Sequence, residues 1–277
     1  MPQLSLSNDH ISVTVVPEFG ARVTELMDRR SGRNWLIGGA CEGDTGEAAG
    51  YAGREARGWD ECVPTVAPCQ DPDRGRRLRD HGDLWGRPWH GAQQGDALVC
   101  RFDGPEFTFT RRLRLEGPRL FCEYTITATT NVRLPWMWSQ HVLLATRPGE
   151  RIVLDGVQDW AAYGPEPGVC EVLGLEAGVV RKCYGAVPEQ ASVGIDGVDG
   201  GIRLRWSGAE TPFCGLWVAF GDWPSPEAPV HQTALEPTTA PEDHLAGARA
   251  GGTERWLGSG QTEHWQVEIA ILPPKKG

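Results

Sequence analysis

His141 and Glu236 are two residues of this sequence whose types could serve proton transfer. His141 ends the run Trp136-Met137-Trp138-Ser139-Gln140 and precedes the apolar stretch Val142 to Ala145. An imidazole titrates near neutrality, so it serves as acid or base. In an apolar strand it is also, and more often, a core group with its hydrogen bonds satisfied. Glu236 follows Ala234 and Leu235 and precedes Pro237. A carboxylate at a strand end above a proline turn is exposed on one side and partly desolvated on the other. That setting raises its pKa toward neutrality. The plainer reading is a surface glutamate.

Three further segments carry polar groups in unusual company. His81 is followed by Gly82, which lets the backbone turn sharply or approach a ligand, with Trp85 and Trp89 close behind. Asp60 and Glu61 are adjacent between Trp59 and Cys62. In a strand they would face opposite sides, so only one of them shares a pocket. Hydrogen bonding to hydroxyls is the functional role open to it; capping a loop is the alternative. Gln140 could orient a polar ligand or the imidazole beside it. The arginine-rich run 74–79 (RGRRLR) offers forks for a phosphate or sulfonate, or else a solvated hairpin. His81, His90, His141 and His231 match no metal-ligand spacing, so no metal is expected.

These residues need strands to hold them. Phe107, Phe109, Leu113 and Leu115 alternate with Thr108, Thr110, Arg112 and Arg114, the period of a half-buried antiparallel strand. Similar patterns predict strands at 11–16, 97–102, 119–129, 151–154, 201–206, 213–220, 231–236 and 264–272. A turn through Pro17 to Arg22 closes an N-terminal hairpin. No segment keeps a helical apolar period over three turns. Residues 38–58 and 221–229 read as loops, and 237–252 as an irregular crossing or a short helix. The 36 glycines and 21 prolines fit many turns. The expectation is one all-β domain over residues 1–277, a large antiparallel sandwich.

Composition narrows the partners. A net charge of −10 disfavours nucleic acid and anionic membranes. No apolar run is long enough to span a bilayer, and the N-terminus lacks the pattern of a signal peptide, so a cytoplasmic location is expected. Eight cysteines form no C-x-x-C pair and read as reduced thiols. Twelve tryptophans exceed what is usual. Most should fill the core, and some should offer flat faces to a sugar ring.

Seven segments, in order, resemble the aldose 1-epimerase (galactose mutarotase-like) family. They are VTVVPEFGARVTEL with SGRNWL, then GWDECVPT, DHGDLWGRPW, LPWMWSQHVLL, LWVAFGDWP, ALEPTTAPEDHL and QTEHWQVEI. The resemblance spans almost the whole chain. It implies the galactose mutarotase-like supersandwich with an open cleft on one face, and cofactor-free interconversion of the α and β anomers of a free sugar. It implies His141 as general acid, Glu236 as general base and His81 as a sugar-binding group. Trp85 and Trp138 would offer ring faces to the sugar. The family's better-known members carry an Asn-Arg pair in the early loop, where this chain has GWDECVPT, so Asp60 or Glu61 stands in for those contacts. The aspartate that holds the sugar hydroxyls has Asp222 as its counterpart. A small-molecule sugar is the expected partner, with the protein a monomer or homodimer. Two alternatives stay open: a hexose-phosphate or sulfosugar epimerase of the same fold, and a carbohydrate-binding protein without activity.

Overall fold

The computed structural model describes residues 2–39, 51 and 56–274. Most of the loop expected at 38–58 therefore lies outside the described residues, as does Cys41. The strands run Leu4–Ser7 (β1), Ile11–Val16 (β2), Arg22–Asp28 (β3), Arg33–Asn34 (β4), Trp59–Cys62 (β5), Cys69–Gln70 (β6) and Arg77–Leu78 (β7). They continue with His90–Gln94 (β8), Ala97–Asp103 (β9), Phe107–Glu116 (β10), Arg119–Ala128 (β11), Leu134–Trp136 (β12), Ser139–Leu144 (β13) and Arg151–Asp155 (β14). The rest are Val179–Ala186 (β15), Gln190–Gly197 (β16), Gly200–Ser207 (β17), Phe213–Phe220 (β18), His231–Thr238 (β19), Arg255–Leu257 (β20) and Thr262–Leu272 (β21). One short helix, Leu245–Gly251 (α1), falls in the stretch expected to be irregular or helical. The strands expected from alternation are present within two residues of their expected bounds. Among the described residues no helix is long and apolar enough to cross a membrane.

Two antiparallel sheets form the body. A nine-stranded sheet runs β1-β2-β3-β5-β13-β19-β18-β15, with β4 on β3. An eight-stranded sheet runs β14-β16-β17-β21-β11-β10-β9-β8. Apolar residues from both sheets, among them Val13, Trp59, Val142, Phe109, Ile126 and Val267, join in one buried cluster. That is the sandwich layer where two inner faces interdigitate. Nine of the twelve tryptophans are buried, so core packing is indeed their main use.

The alternation in β10 has an inward member that is not apolar. Arg111 lies in line with Phe109 and Leu113 and is fully buried. It bridges the sheets: its Nη1 donates to Glu61 Oε1 at 3.1 Å, and its Nη2 donates to the Ala21 carbonyl. Trp59 and Trp138 donate their indole N–H groups to the same carboxylate at 2.9 and 2.8 Å. Gln140 donates to the Tyr124 hydroxyl at 2.7 Å. Glu61 and Gln140 therefore both point into the sandwich.

That fixes the opposite face. In the β5–β13 pairing Asp60 stands opposite His141 and Glu61 opposite Gln140. Residues one step along a strand point to the other side. Asp60 and His141 consequently face away from the eight-stranded sheet, into a recess roofed by the loops after β5 and β18 and the segment before α1.

Candidate functional site

The recess is a cavity of about 230 Å³ on the outer face of the nine-stranded sheet. Tyr51, Trp217 and Trp223 give it aromatic walls, and His81, His141, Lys182, Asp80 and Asp243 supply polar groups. A concave, mostly apolar wall with a few convergent polar groups is the usual form of a small-molecule site.

His141 sits on β13 and is 7% exposed. Its Nδ1 lies 3.2 Å from the Tyr51 hydroxyl, which itself donates to Asp60 Oδ2 at 2.8 Å. The hydroxyl proton is committed to Asp60, so the Tyr51 oxygen accepts from His141 Nδ1–H. Nε2 is left as the imidazole atom available for chemistry, 3.8 Å from Glu236 Oε1. Burial, followed by the nearby His81, Lys182 and Arg22, pushes the His141 pKa well below 6.5. At rest the imidazole is therefore neutral at pH 7.

Glu236 is not at a strand end. β19 continues through Pro237 to Thr238, and the carboxylate is fully buried rather than half exposed. Its Oε2 accepts from Lys182 Nζ at 2.6 Å and from Ser139 Oγ at 3.2 Å. Among the described residues its Oε1 has no hydrogen-bond donor. Gly215 of β18 stands opposite in register; a Cβ there would lie 3.2 Å from Oε2, so the missing side chain makes room for the carboxylate.

His81 forms a second polar wall. Its ring stacks on Tyr51 with centroids 3.7 Å apart and meets the His141 ring edge-on at 4.8 Å. Asp80 Oδ1 lies 2.8 Å from His81 Nδ1, and Asp80 Oδ2 accepts the Tyr51 backbone N–H at 2.9 Å. Asp80 thus fixes the orientation of both rings. Burial opposes its charge, but the contacts with His81 outweigh it and hold the Asp80 carboxyl below its ordinary range.

The structure brings His141, Glu236 and His81 together, and sets Asp60 just behind them. Asp60 faces the cavity side, but Tyr51 covers it and Arg22 pairs with it at 2.8 Å. It acts on the site through Tyr51. Four expected ligand contacts lie elsewhere. Gln140 points into the sandwich, because it is one residue out of phase with His141. Trp85 is fully buried, with its ring edge against Tyr51 at 5.1 Å, and presents no face to the cavity. Asp222 is exposed and outside the cavity wall, while its neighbour Trp223 lines it. Trp138 is core, packed on Tyr124 and Trp265. Arg74 and Arg76 pair with Asp71, Asp83 and Glu106 away from the cavity.

Sequence reasoning missed Tyr51, Lys182, Trp217, Trp223, Gln232 and Asp243. A partial signal existed for three of them: Trp217 and Trp223 fall in LWVAFGDWP and Asp243 in ALEPTTAPEDHL, two of the matching segments. Gln232 fastens Trp217, accepting its indole N–H at 3.4 Å while donating to the Ala56 carbonyl at 2.8 Å.

No protein-family model and no curated protein matches this chain by sequence. Solved structures do match by shape. A galactose mutarotase related enzyme from Lactobacillus acidophilus superposes with a TM-score of 0.73 at 11% identity, covering 99% of each chain. A galactose mutarotase-like protein from Lactobacillus casei gives 0.71 at 12% identity, over 98% of this chain and 100% of its own. An aldose epimerase homologue from C. elegans gives 0.67 at 11% identity, over 99% of both. At such identities the likeness is one of fold: this chain has the galactose mutarotase-like β-sandwich.

Proposed function

We propose that this chain, built on the galactose mutarotase-like fold, is an isomerase of the aldose 1-epimerase type that interconverts the α and β anomers of a free sugar. One observation carries the reading. A fully buried carboxylate oxygen that takes no donor among the described residues, Glu236 Oε1, lies 3.8 Å from Nε2 of His141, and His141 lines an aromatic cavity. Leaving a buried acceptor unpaired costs about 1–3 kcal/mol, a cost offset when a ligand hydroxyl donates to it. Fold alone would not license the activity, because one sandwich hosts many functions.

The chemistry needs one base and one acid. Glu236 Oε1 takes the proton of the anomeric hydroxyl. The bond from C1 to the ring oxygen breaks, and the ring oxygen receives a proton from protonated His141 Nε2. The open aldehyde turns about C1–C2 and closes from the other face, with both transfers reversed. His81 Nε2, oriented by Asp80, is placed to bond a sugar hydroxyl, and Trp217, Trp223 and Tyr51 supply apolar faces. The arginine run that motivated a phosphate or sulfonate group lies outside this cavity.

Exchange between anomeric protons, followed by NMR across a panel of aldoses, tests the proposal. The wild type should speed exchange for at least one aldose. Glu236→Gln and His141→Asn should each lower the catalysed rate by ~10²–10⁴-fold while the fold is kept. Full activity in both variants would refute the assignment, and sugar binding without exchange would favour a binding protein.

A further inference from the structure

We propose that Lys182 is a positioning residue for the base: with Ser139 it occupies Glu236 Oε2, so that Oε1 alone is presented to the sugar. The inference rests on the reading of Glu236 and His141 given above and adds a third member to that pair.

Lys182 lies on β15, the edge strand of the nine-stranded sheet, opposite Trp217 of β18. Its side chain is 18% exposed and lines the cavity. Nζ is 2.6 Å from Glu236 Oε2 and 3.7 Å from Asp243 Oδ1. Asp243 is held in turn, its Oδ1 accepting from the Tyr184 hydroxyl at 2.6 Å. The Asp243 backbone carbonyl accepts the N–H groups of Val66 and Ala67 at 3.0 and 2.7 Å, which ties this acid to the cavity's far wall. The ammonium is thus clamped from two elements.

The consequence is an asymmetric carboxylate. Among the described residues one oxygen takes two donors, one of them charged, and the other takes none. A fixed carboxylate with one free oxygen is pre-oriented for a single proton transfer. Without the ammonium, the carboxylates of Glu236 and Asp243, 2.6 and 3.7 Å from Nζ, would lose the cation they share. Glu236 Oε2 would keep Ser139 as its remaining donor, and the carboxylate would be free to turn. Burial works against the Lys182 cation, but Glu236 and Asp243 outweigh it and hold its pKa above the ordinary lysine range. The clamp therefore stays charged across the working pH range.

Lys182 also faces His141. The charged and titratable groups around the pair are Glu236 on β19, Asp243 before α1, Tyr184 beside Lys182, and the thiols of Cys62, Cys183 and Cys214. His81 and Arg22 act on His141 from the other side, and Asp60 sits beneath Tyr51. Removing one cation from this group should raise the titration of His141. Loss of a merely structural lysine would lower activity and leave the pH profile in place.

The test compares Lys182→Met, Lys182→Gln and Lys182→Arg. The first removes charge and donor, the second keeps a neutral donor, and the third keeps the charge. In the Met and Gln variants kcat should fall about tenfold or more with KM nearly unchanged. The limb of the rate profile set by His141 should move to higher pH, by about one pH unit or more. The Arg variant should keep the wild-type profile. NMR titration of the His141 imidazole gives a readout without turnover: its midpoint should rise in the Met and Gln variants and hold in the Arg variant. If the wild type exchanges no aldose, the functional reading fails while this titration still decides the role of Lys182. A profile and an imidazole midpoint unmoved in both neutral variants would overturn the inference.

Discussion

His141 is neutral at rest, and this has a kinetic consequence at the residue scale. The acid of the proposed reaction is the protonated imidazole, whereas burial and the nearby His81, Lys182 and Arg22 hold its pKa well below 6.5. A proton donor with a lowered pKa is lost as pH rises through that lowered value. The free-enzyme profile, kcat/KM against pH, should therefore decline on the alkaline side from below pH 6.5, and activity should be greater at pH 6 than at pH 8. Initial rates of anomer exchange, corrected for the uncatalysed reaction at each pH, would show it; a profile rising from pH 6 to 8 would contradict the acid role. The resemblance implied His141 as general acid, but its lowered pKa was not legible, because the groups that act on it come from β3, β15 and the turn at His81, all distant along the chain. His141, Glu236 and His81 were legible as residues with chemistry. Tyr51 and Lys182 were not, since each acquires its role only through a partner brought in by folding: Asp60 and His141 for one, Glu236 and Asp243 for the other.

At the scale of elements, the turn at His81 and Gly82 sets one wall of the site. Both residues have left-handed backbone angles, φ 57° and 73°. Gly82 forms a bridge with Val63, and a Cβ added to Gly82 would lie 2.1 Å from the Val63 carbonyl oxygen. Gly82→Ala must therefore strain the backbone and push the turn off the end of β5. The expected cost is about 1–3 kcal/mol in urea unfolding, with a raised KM as His81 is displaced from the cavity. A variant of wild-type stability and KM would show that the turn does not position His81. The strands were largely readable, because period-two alternation marks a sheet with one buried face. Lys182 escaped for the complementary reason. Val179–Ala186 is an edge strand with an irregular burial pattern, and no strand was expected there. The same alternation settled Trp138. Trp138 is in phase with Gln140, and both bond into the sandwich, to Glu61 and Tyr124, while His141 has the opposite phase and faces the cavity.

Across the whole molecule, the site is held from behind by an ion pair buried between the sheets. Glu61 and Arg111 are both fully buried at 3.1 Å, one on β5 and the other on β10. Because Asp60 and His141 lie in phase opposite to Glu61 and Gln140, whatever fixes Glu61 inward also fixes the cavity face. Alternation could not reveal this, since Arg111 interrupts an otherwise apolar inner row and its partner lies fifty residues away. Burial pushes the Glu61 pKa up to about 7 even against Arg111 and two indole donors. A carboxyl raised above its unfolded value favours the folded state fully below pH 4.5, and that contribution is lost as pH rises through 7. Arg111→Met removes the cation that pairs with Glu61 and leaves its charged form uncompensated, at an expected cost of about 3–5 kcal/mol. The loss should be smaller at pH 5, where Glu61 takes up a proton and needs no counter-ion, and greater at pH 8, where it must shed that proton or remain neutral against the solvent. Urea midpoints of wild type and variant at the two pH values decide the matter. An equal loss at both would mean that Arg111 contributes packing alone, and that the register of β5 against β13 is set without the charge pair.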